Sequence, residues 1–221
     1  MSVVFPRITG SISGAPNFIG SFTWTEMPAA STALAGATAY ITNIGDSGGS
    51  YWICDGLRWR PYASDGIVVQ NRYDNDISPA SASENVFQIQ GIPAGVMQDG
   101  GIITVDFSLT KTVLTATSTV RFRLGTSSSV PASNTQLNSQ AKPASGDTYI
   151  RGCFEFLRVS ATEIRVLAAY QTTRYGSHAT AGYGTNITVP DMDQNTNYLM
   201  MTHQNASSET VTNQMFRVSL K

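Results

Sequence analysis

Residues 119–125 read TVRFRLG, and this short run decides how the rest of the chain is interpreted. Val120, Phe122 and Leu124 fall on one side of an extended chain, because successive side chains of a strand point to opposite faces. The two arginines between them fall on the other side. Such alternation is typical of an antiparallel strand with one buried and one solvated face. The run therefore predicts a sheet protein.

Runs with the same period of two recur through the second half of the chain. They are separated by segments rich in Ser, Thr, Gly and Asn, which is the pattern of strands joined by loops. The runs are ENVFQIQ (84–90), GIITVDFSL (101–109), YIRGCFEFLRV (149–159), TEIRVLAAY (162–170), GTNITVP (184–190), TNYLMMTH (196–203) and QMFRVSL (214–220). With TVRFRLG they make at least eight strands beyond residue 80. This number predicts an antiparallel, jelly-roll-like β-sandwich over residues 85–221.

The first part of the chain is predicted to hold three smaller segments, so that the protein is all-β with a small module before the sandwich. Residues 67–84 lie where the periodicity lapses and are predicted to be a linker. Residues 21–66 are predicted to form a small tryptophan-containing β-hairpin module. Residues 1–20, which are rich in Gly and Pro, are predicted to be an extended attachment arm. Apolar residues at helical spacing predict one short helix over residues 26–37.

The composition excludes several classes of function. Charged residues make up 13% of the chain, against about 25% in a typical domain, and the net charge is −1. No run of Lys and Arg is present, so no nucleic-acid partner is expected. No stretch of 18 apolar residues is present, so no membrane partner is expected either.

The segment GGSYWICDGLRWRP (48–61) carries the strongest hairpin signal in the chain. Asp55-Gly56 suits the two positive-φ positions of a type I′ turn, and aromatic runs flank it on both sides. With that turn, one face of the hairpin carries Trp52, Trp59, Cys54 and Leu57, and the opposite face carries Tyr51, Ile53, Arg58 and Arg60. The first face predicts a small core made mostly of two indoles.

Two interpretations of this hairpin stay open from the sequence. Core packing is favoured because it turns both tryptophans inward, and a module this small needs such a cluster. The alternative is a sugar-stacking platform, since aromatic rings suit the C–H faces of pyranose rings. The other face, with its tyrosine and arginines, is available to solvent or to a neighbouring subunit. Tyr51, Arg58 and Arg60 are therefore candidate interface residues.

Two regions resemble virion proteins of tailed bacteriophages. FTWTEMPAASTALAGATAYITNIGDSGGSYWICDGLRWRP (22–61) is similar to a module repeated in such proteins, although its EMPAAS and DGLRW depart from the usual pattern. FQIQGIPAGVMQDGGIITVDFSLTKT (87–112), TVRFRLG and NQMFRVSLK (213–221) resemble the C-terminal sandwich of fibre proteins. The resemblance implies a homotrimeric appendage of the tail-fibre or head-fibre type. Contacts around such a trimer would bury apolar residues that are expected on outer faces, such as Leu167 and Met201. It also implies that the arm, including Phe5, attaches to other virion proteins.

No motif predicts catalysis, and we expect no enzymatic activity, metal or cofactor. The two histidines fit no triad pattern and no GxSxG segment occurs. Asp106 and Glu155 lie in predicted strands, but a carboxylate pair has no spacing signature by itself. Cys54 and Cys153 are too few for a disulfide framework and are interpreted as small buried residues.

The segment from Thr172 to Thr185 mixes tyrosines with Gly and the small hydroxyl residues Ser and Thr, which is the composition of an adaptable binding loop. Its candidate contacts with a ligand are Arg174, Tyr175, His178 and Tyr183. The nearly uncharged surface favours a neutral saccharide. We therefore expect a non-enzymatic virion protein, made in the bacterial cytoplasm, that contacts host surface polysaccharide. A capsid decoration protein and a carbohydrate-binding module of a bacterial protein are the alternatives.

Overall fold

The computed structural model describes residues 17–44, 49–62, 67–72, 77–78, 82–111, 118–142, 149–172, 184–205 and 210–221. The chain divides into two compact units. The described residues of the first unit lie between residues 17 and 62, and those of the second lie between residues 67 and 221.

The first unit is built on a four-stranded sheet. Its strands are β1 (Asn17–Phe22), β2 (Ala37–Ile41), β3 (Ser50–Cys54) and β4 (Trp59–Pro61). They lie in the order β1-β2-β3-β4, with β1 parallel to β2 and the other pairs antiparallel. The last residues of the predicted arm, 17–20, thus belong to β1.

The short helix predicted over residues 26–37 is wrong. The structure has two 3-10 turns instead, Trp24–Glu26 and Thr32–Leu34. Proline disfavours helical backbone in the residue before it, and Met27, which precedes Pro28, has φ −58° and ψ 131°. The proline therefore ends the first turn before a helix can continue.

The hairpin of β3 and β4 confirms the inward position of both tryptophans. Trp52 and Trp59 are 1% and 6% exposed, and Cys54 lies beside them, opposite Trp59. Leu57, however, is 84% exposed, so its predicted place in the core is wrong. Cys54 pairs with Trp59 and not with Leu57, as a turn centred on Asp55-Gly56 would require. Leu57 therefore lies in the turn, which covers residues 55–58.

The second unit consists of two antiparallel sheets. The strands are β5 (Ile67–Arg72), β6 (Ile77–Ser78), β7 (Asn85–Ile92), β8 (Ile102–Lys111), β9 (Ser118–Gly125), β10 (Thr135–Lys142), β11 (Tyr149–Ser160), β12 (Glu163–Thr172), β13 (Asn186–Thr188), β14 (Asn197–Asn205) and β15 (Val211–Leu220). The four-stranded sheet has the order β10-β9-β14-β7, and the larger sheet has the order β13-β12-β11-β8-β15-β5, with β6 also paired to β15. The all-β prediction is confirmed.

Phenylalanines join the inner faces of the two sheets. Phe122 of β9 lies with its ring centroid 5.2 Å from Phe107 of β8 and 4.9 Å from Phe154 of β11. Val120 and Leu124 are fully buried beside Phe122, as the alternation in TVRFRLG predicts. The packing of β9 against the opposite sheet makes the unit a sandwich.

Two apolar residues expected on outer faces, Leu167 and Met201, and the predicted linker over residues 67–84 are placed by the structure as follows. Leu167 is 43% exposed, in agreement with its expected outward position. Met201 was expected on the outer face but is fully buried opposite Phe122, because the pairing of β14 with β9 turns it inward. Within the interval predicted as a linker, residues 67–72 and 77–78 pair with β15 through main-chain bonds, which need no apolar alternation.

Candidate functional site

The predicted ligand contacts Arg174, Tyr175, His178 and Tyr183 lie outside the described residues, and so does Phe5. Their roles therefore stay predictions. Three of the predicted interface residues, Tyr51, Arg58 and Arg60, lie in the first unit and are described. The surface around them is the most distinctive one in the described part of the chain.

Three tyrosines form a row across the sheet of the first unit. Tyr40 of β2 lies directly opposite Tyr51 of β3. Tyr62, which follows β4, donates its backbone N–H to the carbonyl of Tyr51 at 2.8 Å and so continues the same register. Residues that face each other across adjacent strands project to the same side of a sheet. With strands about 4.8 Å apart, the row runs at right angles to the strands.

The rings of Tyr40, Tyr51 and Phe18 lie close together, and much of this surface is open to solvent. The ring centroids of Tyr40 and Tyr51 are 4.9 Å apart, and that of Phe18 on β1 lies 6.4 Å from Tyr51. Tilted ring pairs at these distances are favourable arrangements. Phe18, Tyr51 and Tyr62 each remain 55–56% exposed. We call Phe18, Tyr40, Tyr51, Tyr62 and Arg60 the outer aromatic face.

Gly49 determines where the Tyr40 ring lies. A β-carbon added at Gly49 would come within 2.5 Å of the ring and hydroxyl of Tyr40, a distance that real side chains do not reach. The Tyr40 ring therefore lies across the backbone of Gly49. Any larger residue at position 49 forces the end of this flexible side chain to move.

Arg60 supplies the charge of the outer aromatic face, and Asp55 holds it. Arg60 lies opposite Ile53 on β3, and its Nε donates a hydrogen bond to the Asp55 carboxylate. The same carboxylate accepts the backbone N–H groups of Leu57 and Arg58, each at 2.9 Å. The N–H of Leu57, the Arg60 guanidinium and the N–H of Arg58 together lower the pKa of Asp55 well below its usual range. Asp55 is thus ionised at neutral pH and paired with Arg60.

The opposite side of the sheet gives the outer aromatic face a rigid support. The indole Nε1 of Trp59 donates to the carbonyl of Pro28 at 2.8 Å, which ties β4 to the loop before β2. The indole of Trp52 donates to the hydroxyl of Ser50, and its ring centroid lies 4.9 Å from that of Trp24. Satisfied indoles in a packed core hold the strands in one register.

Sequence reasoning found only part of this surface. Tyr51 and Arg60 were predicted to lie on the outward face, but Phe18, Tyr40 and Tyr62 were missed. The period of two in ATAYI (37–41) was a usable signal for Tyr40, because Ala39 and Ile41 had to point inward. Nothing in the sequence indicates the parallel pairing that brings β1, and Phe18 with it, beside Tyr51.

Charged groups of the second unit act as structural ties. The Arg158 guanidinium is 4% exposed and donates two bonds of 2.8 Å to Asp193, one of 3.0 Å to Asp99 and one to the Met97 carbonyl. Burial alone lowers the pKa of Arg158, but these carboxylates outweigh it and raise the pKa. Glu84 binds Arg123 in a bidentate pair in the same manner.

The two strand carboxylates singled out in the sequence lie on the outward side of the larger sheet. Asp106 of β8 faces Cys153 of β11, and Glu155 is two residues further along β11. Burial and the hydrogen bond to Asp106 raise the pKa of the Cys153 thiol to about 12. A thiol with a pKa this high is almost fully protonated at neutral pH, so Cys153 is a poor nucleophile.

The described residues contain no group of three or more His, Cys, Asp or Glu side chains placed to hold a metal ion. Among the helical turns that the structure describes, none is long and apolar enough to cross a bilayer. In comparisons with known proteins, the chain matches no family model, no curated protein and no solved structure.

Proposed function

We propose that the chain is a non-enzymatic structural protein of a bacteriophage virion, a fibre-type appendage that contacts host surface polysaccharide. The observation that carries the proposal is the outer aromatic face. A sheet with a packed tryptophan core presents Phe18, Tyr51 and Tyr62 more than half exposed, beside an ion-paired Arg60. The sequence resemblance to fibre proteins over residues 22–61 and 87–125 supports the same assignment.

The composition of this face favours binding over a merely solvated surface. Tyrosine and arginine are enriched where binding energy is concentrated, because they combine a large contact area with donors. Tyrosine also loses little conformational entropy on binding. Contiguous exposed aromatic groups on a soluble domain mark sites of interaction. A face held by main-chain pairing to three neighbouring strands loses little further freedom when a ligand binds.

The proposal includes a homotrimer that is attached to other virion proteins through the N-terminal arm. Heterologous contacts around a closed ring bury apolar groups on outer faces, and Leu167, 43% exposed on β12, is such a group. Light scattering of the purified chain tests this part. A mass of three chains is expected, and a monomeric mass at micromolar concentration contradicts it.

The location of the protein tests the proposal as a whole. Antibodies raised against the purified chain are applied to intact particles of the encoding phage, and labelling is examined by electron microscopy. Labelling of an exposed appendage is expected, together with inhibition of adsorption to cells by the free protein. Labelling over the capsid with no inhibition of adsorption indicates decoration instead. Absence of the protein from purified particles refutes the virion assignment.

A further inference from the structure

The row of tyrosines has the geometry of a stacking surface, and it lies on the side of the hairpin opposite the tryptophans. Tyr40, Tyr51 and Tyr62 lie in direct register across consecutive strands, and the ring centroids of Tyr40 and Tyr51 are 4.9 Å apart. The sugar-stacking reading of the hairpin placed the contact on Trp52 and Trp59. Both are buried, so this reading fails for the indoles. The tyrosines supply an exposed surface of the same chemistry.

We propose that the outer aromatic face is a binding site for a neutral polysaccharide of pyranose rings, laid across the strands along the tyrosine row. This inference rests on the proposed function and names the site and the class of ligand. The apolar C–H face of a pyranose ring packs on an exposed phenol ring. Its hydroxyl groups meet the tyrosine hydroxyls and the Arg60 guanidinium at the edge of the row.

Charge complementarity selects a neutral ligand over an acidic one. Arg60 belongs to the outer aromatic face and Arg58 lies beside it, and the Nε atoms of both arginines pair with Oδ2 of Asp55. An acidic sugar would have to compete with Asp55 for the same guanidinium. A phosphate-rich ligand needs a cluster of cations that are free to bind it, and both of these arginines are already paired with Asp55. Hydroxyl groups, in contrast, can use the remaining N–H donors of Arg60 without displacing Asp55.

The ring arrangement also argues for contact with several sugar units. The Tyr40 and Tyr51 rings are tilted by 59° to each other, and Phe18 is tilted by 57° to Tyr51. No single flat ligand can lie on all of them at once. A chain of rings joined by rotatable linkages can place one unit on each phenol. A polymer therefore fits this surface better than a monosaccharide.

The test uses affinity electrophoresis of the full chain in gels that contain dextran, yeast mannan, laminarin or galactan, with polygalacturonate as the acidic probe. We expect retardation by at least one neutral polymer. Tyr51→Ala should weaken it about tenfold, in keeping with the loss of one aromatic contact. Tyr51→Phe should retain it because the ring stays. Tyr149→Ala is the matched control, since Tyr149 is 44% exposed on the second unit.

Gly49→Ala supplies a second variant that leaves the exposed rings in place. The new β-carbon displaces the end of Tyr40 without removing any aromatic group. We expect weaker retardation with an unchanged urea midpoint of the first unit. Loss of folding in Tyr51→Ala is recognised by tryptophan fluorescence, and in that case Tyr51→Ser and Gly49→Ala decide the question.

Several outcomes overturn the inference. The inference fails if no neutral polymer retards the protein or if polygalacturonate alone retards it. It also fails if Tyr51→Ala leaves the retardation unchanged. If particles carry the protein but the tyrosine variants bind polysaccharide normally, the inference fails while the proposed function stands. If the purified chain binds through these tyrosines but no particle carries it, the proposed function fails while the inference stands.

Discussion

The substitution Trp59→Ala tests the packing that supports the outer aromatic face. The Trp59 side chain is 6% exposed, and its indole N–H donates to the Pro28 carbonyl at 2.8 Å. A buried indole removes on the order of 200 Å² from water, which at about 25 cal/mol per Å² corresponds to about 5 kcal/mol. The lost hydrogen bond adds about 1 kcal/mol. Collapse of the cavity offsets part of this sum, so we expect a loss of about 3–5 kcal/mol in the free energy of unfolding.

The chain provides its own probe for this measurement. All three tryptophans, Trp24, Trp52 and Trp59, lie in the first unit, so tryptophan fluorescence reports its unfolding separately from the sandwich. A core this small supplies roughly 3–5 kcal/mol in total. The variant should therefore have a largely unfolded first unit in water, while the tyrosine and far-ultraviolet signals of the sandwich persist.

Leu57→Ala is the matched control, because Leu57 lies in the same hairpin but is 84% exposed. It should change the free energy of unfolding by less than about 0.5 kcal/mol. A urea midpoint for Trp59→Ala that shifts by less than the equivalent of about 1 kcal/mol refutes the reasoning. An equal loss of unfolding free energy in Trp59→Ala and Leu57→Ala also refutes it, because burial would then not explain the stability of the hairpin.

Three other predictions concern the second unit. Arg158→Met should destabilise the sandwich by about 3 kcal/mol in urea unfolding, which is the low end for a broken buried ion pair. The loss is at the low end because Asp193 and Asp99 are 41% and 63% exposed and stay hydrated. An unchanged urea midpoint contradicts this prediction. Burial raises the pKa of Glu84, but its bonds to Arg123 and Thr202 outweigh that effect and lower it. Because the folded-state pKa is the lower one, the stability from Glu84 is present above pH about 4.3 and is lost as the pH falls through the folded value. The difference in free energy of unfolding between the native chain and Glu84→Gln should therefore become smaller between pH 7 and pH 3. A difference that does not change with pH refutes the linkage. Cys153, with a pKa of about 12, should react with iodoacetamide at pH 8 at least about a hundredfold more slowly in the folded chain than in urea, as mass spectrometry of the labelled peptide would show.

The fold of the sandwich was predictable because its information is local. The alternation of apolar and charged residues in TVRFRLG selects the buried face of β9 without reference to any other strand, and Val120, Phe122 and Leu124 are all fully buried. The inward position of Trp52 and Trp59 follows in the same way from their spacing around Asp55-Gly56. A period of two survives any shift of the pairing by two residues, so this prediction held although the turn was wider than expected.

The candidate site was predictable only in part, because it depends on pairing between distant strands. Tyr51 and Arg60 share a face by local alternation, but their neighbours come from three other segments. Leu57 was misplaced because Asp55 caps two N–H groups of the turn and so opens it to four residues. Local propensity does not reveal which of two turns the capping side chain stabilises.

The sequence by itself determined which side of each strand is apolar, since side-chain alternation is a property of the extended chain and needs no partner. Only the tertiary structure decided which strands lie side by side and in what register. That register places Tyr40, Tyr51 and Tyr62 in one row, brings Phe18 against Tyr51 through a parallel pairing, and turns Met201 into the core. Main-chain hydrogen bonds are the same for every residue, so the choice of partner strand depends on how whole faces pack, and no single segment carries that information.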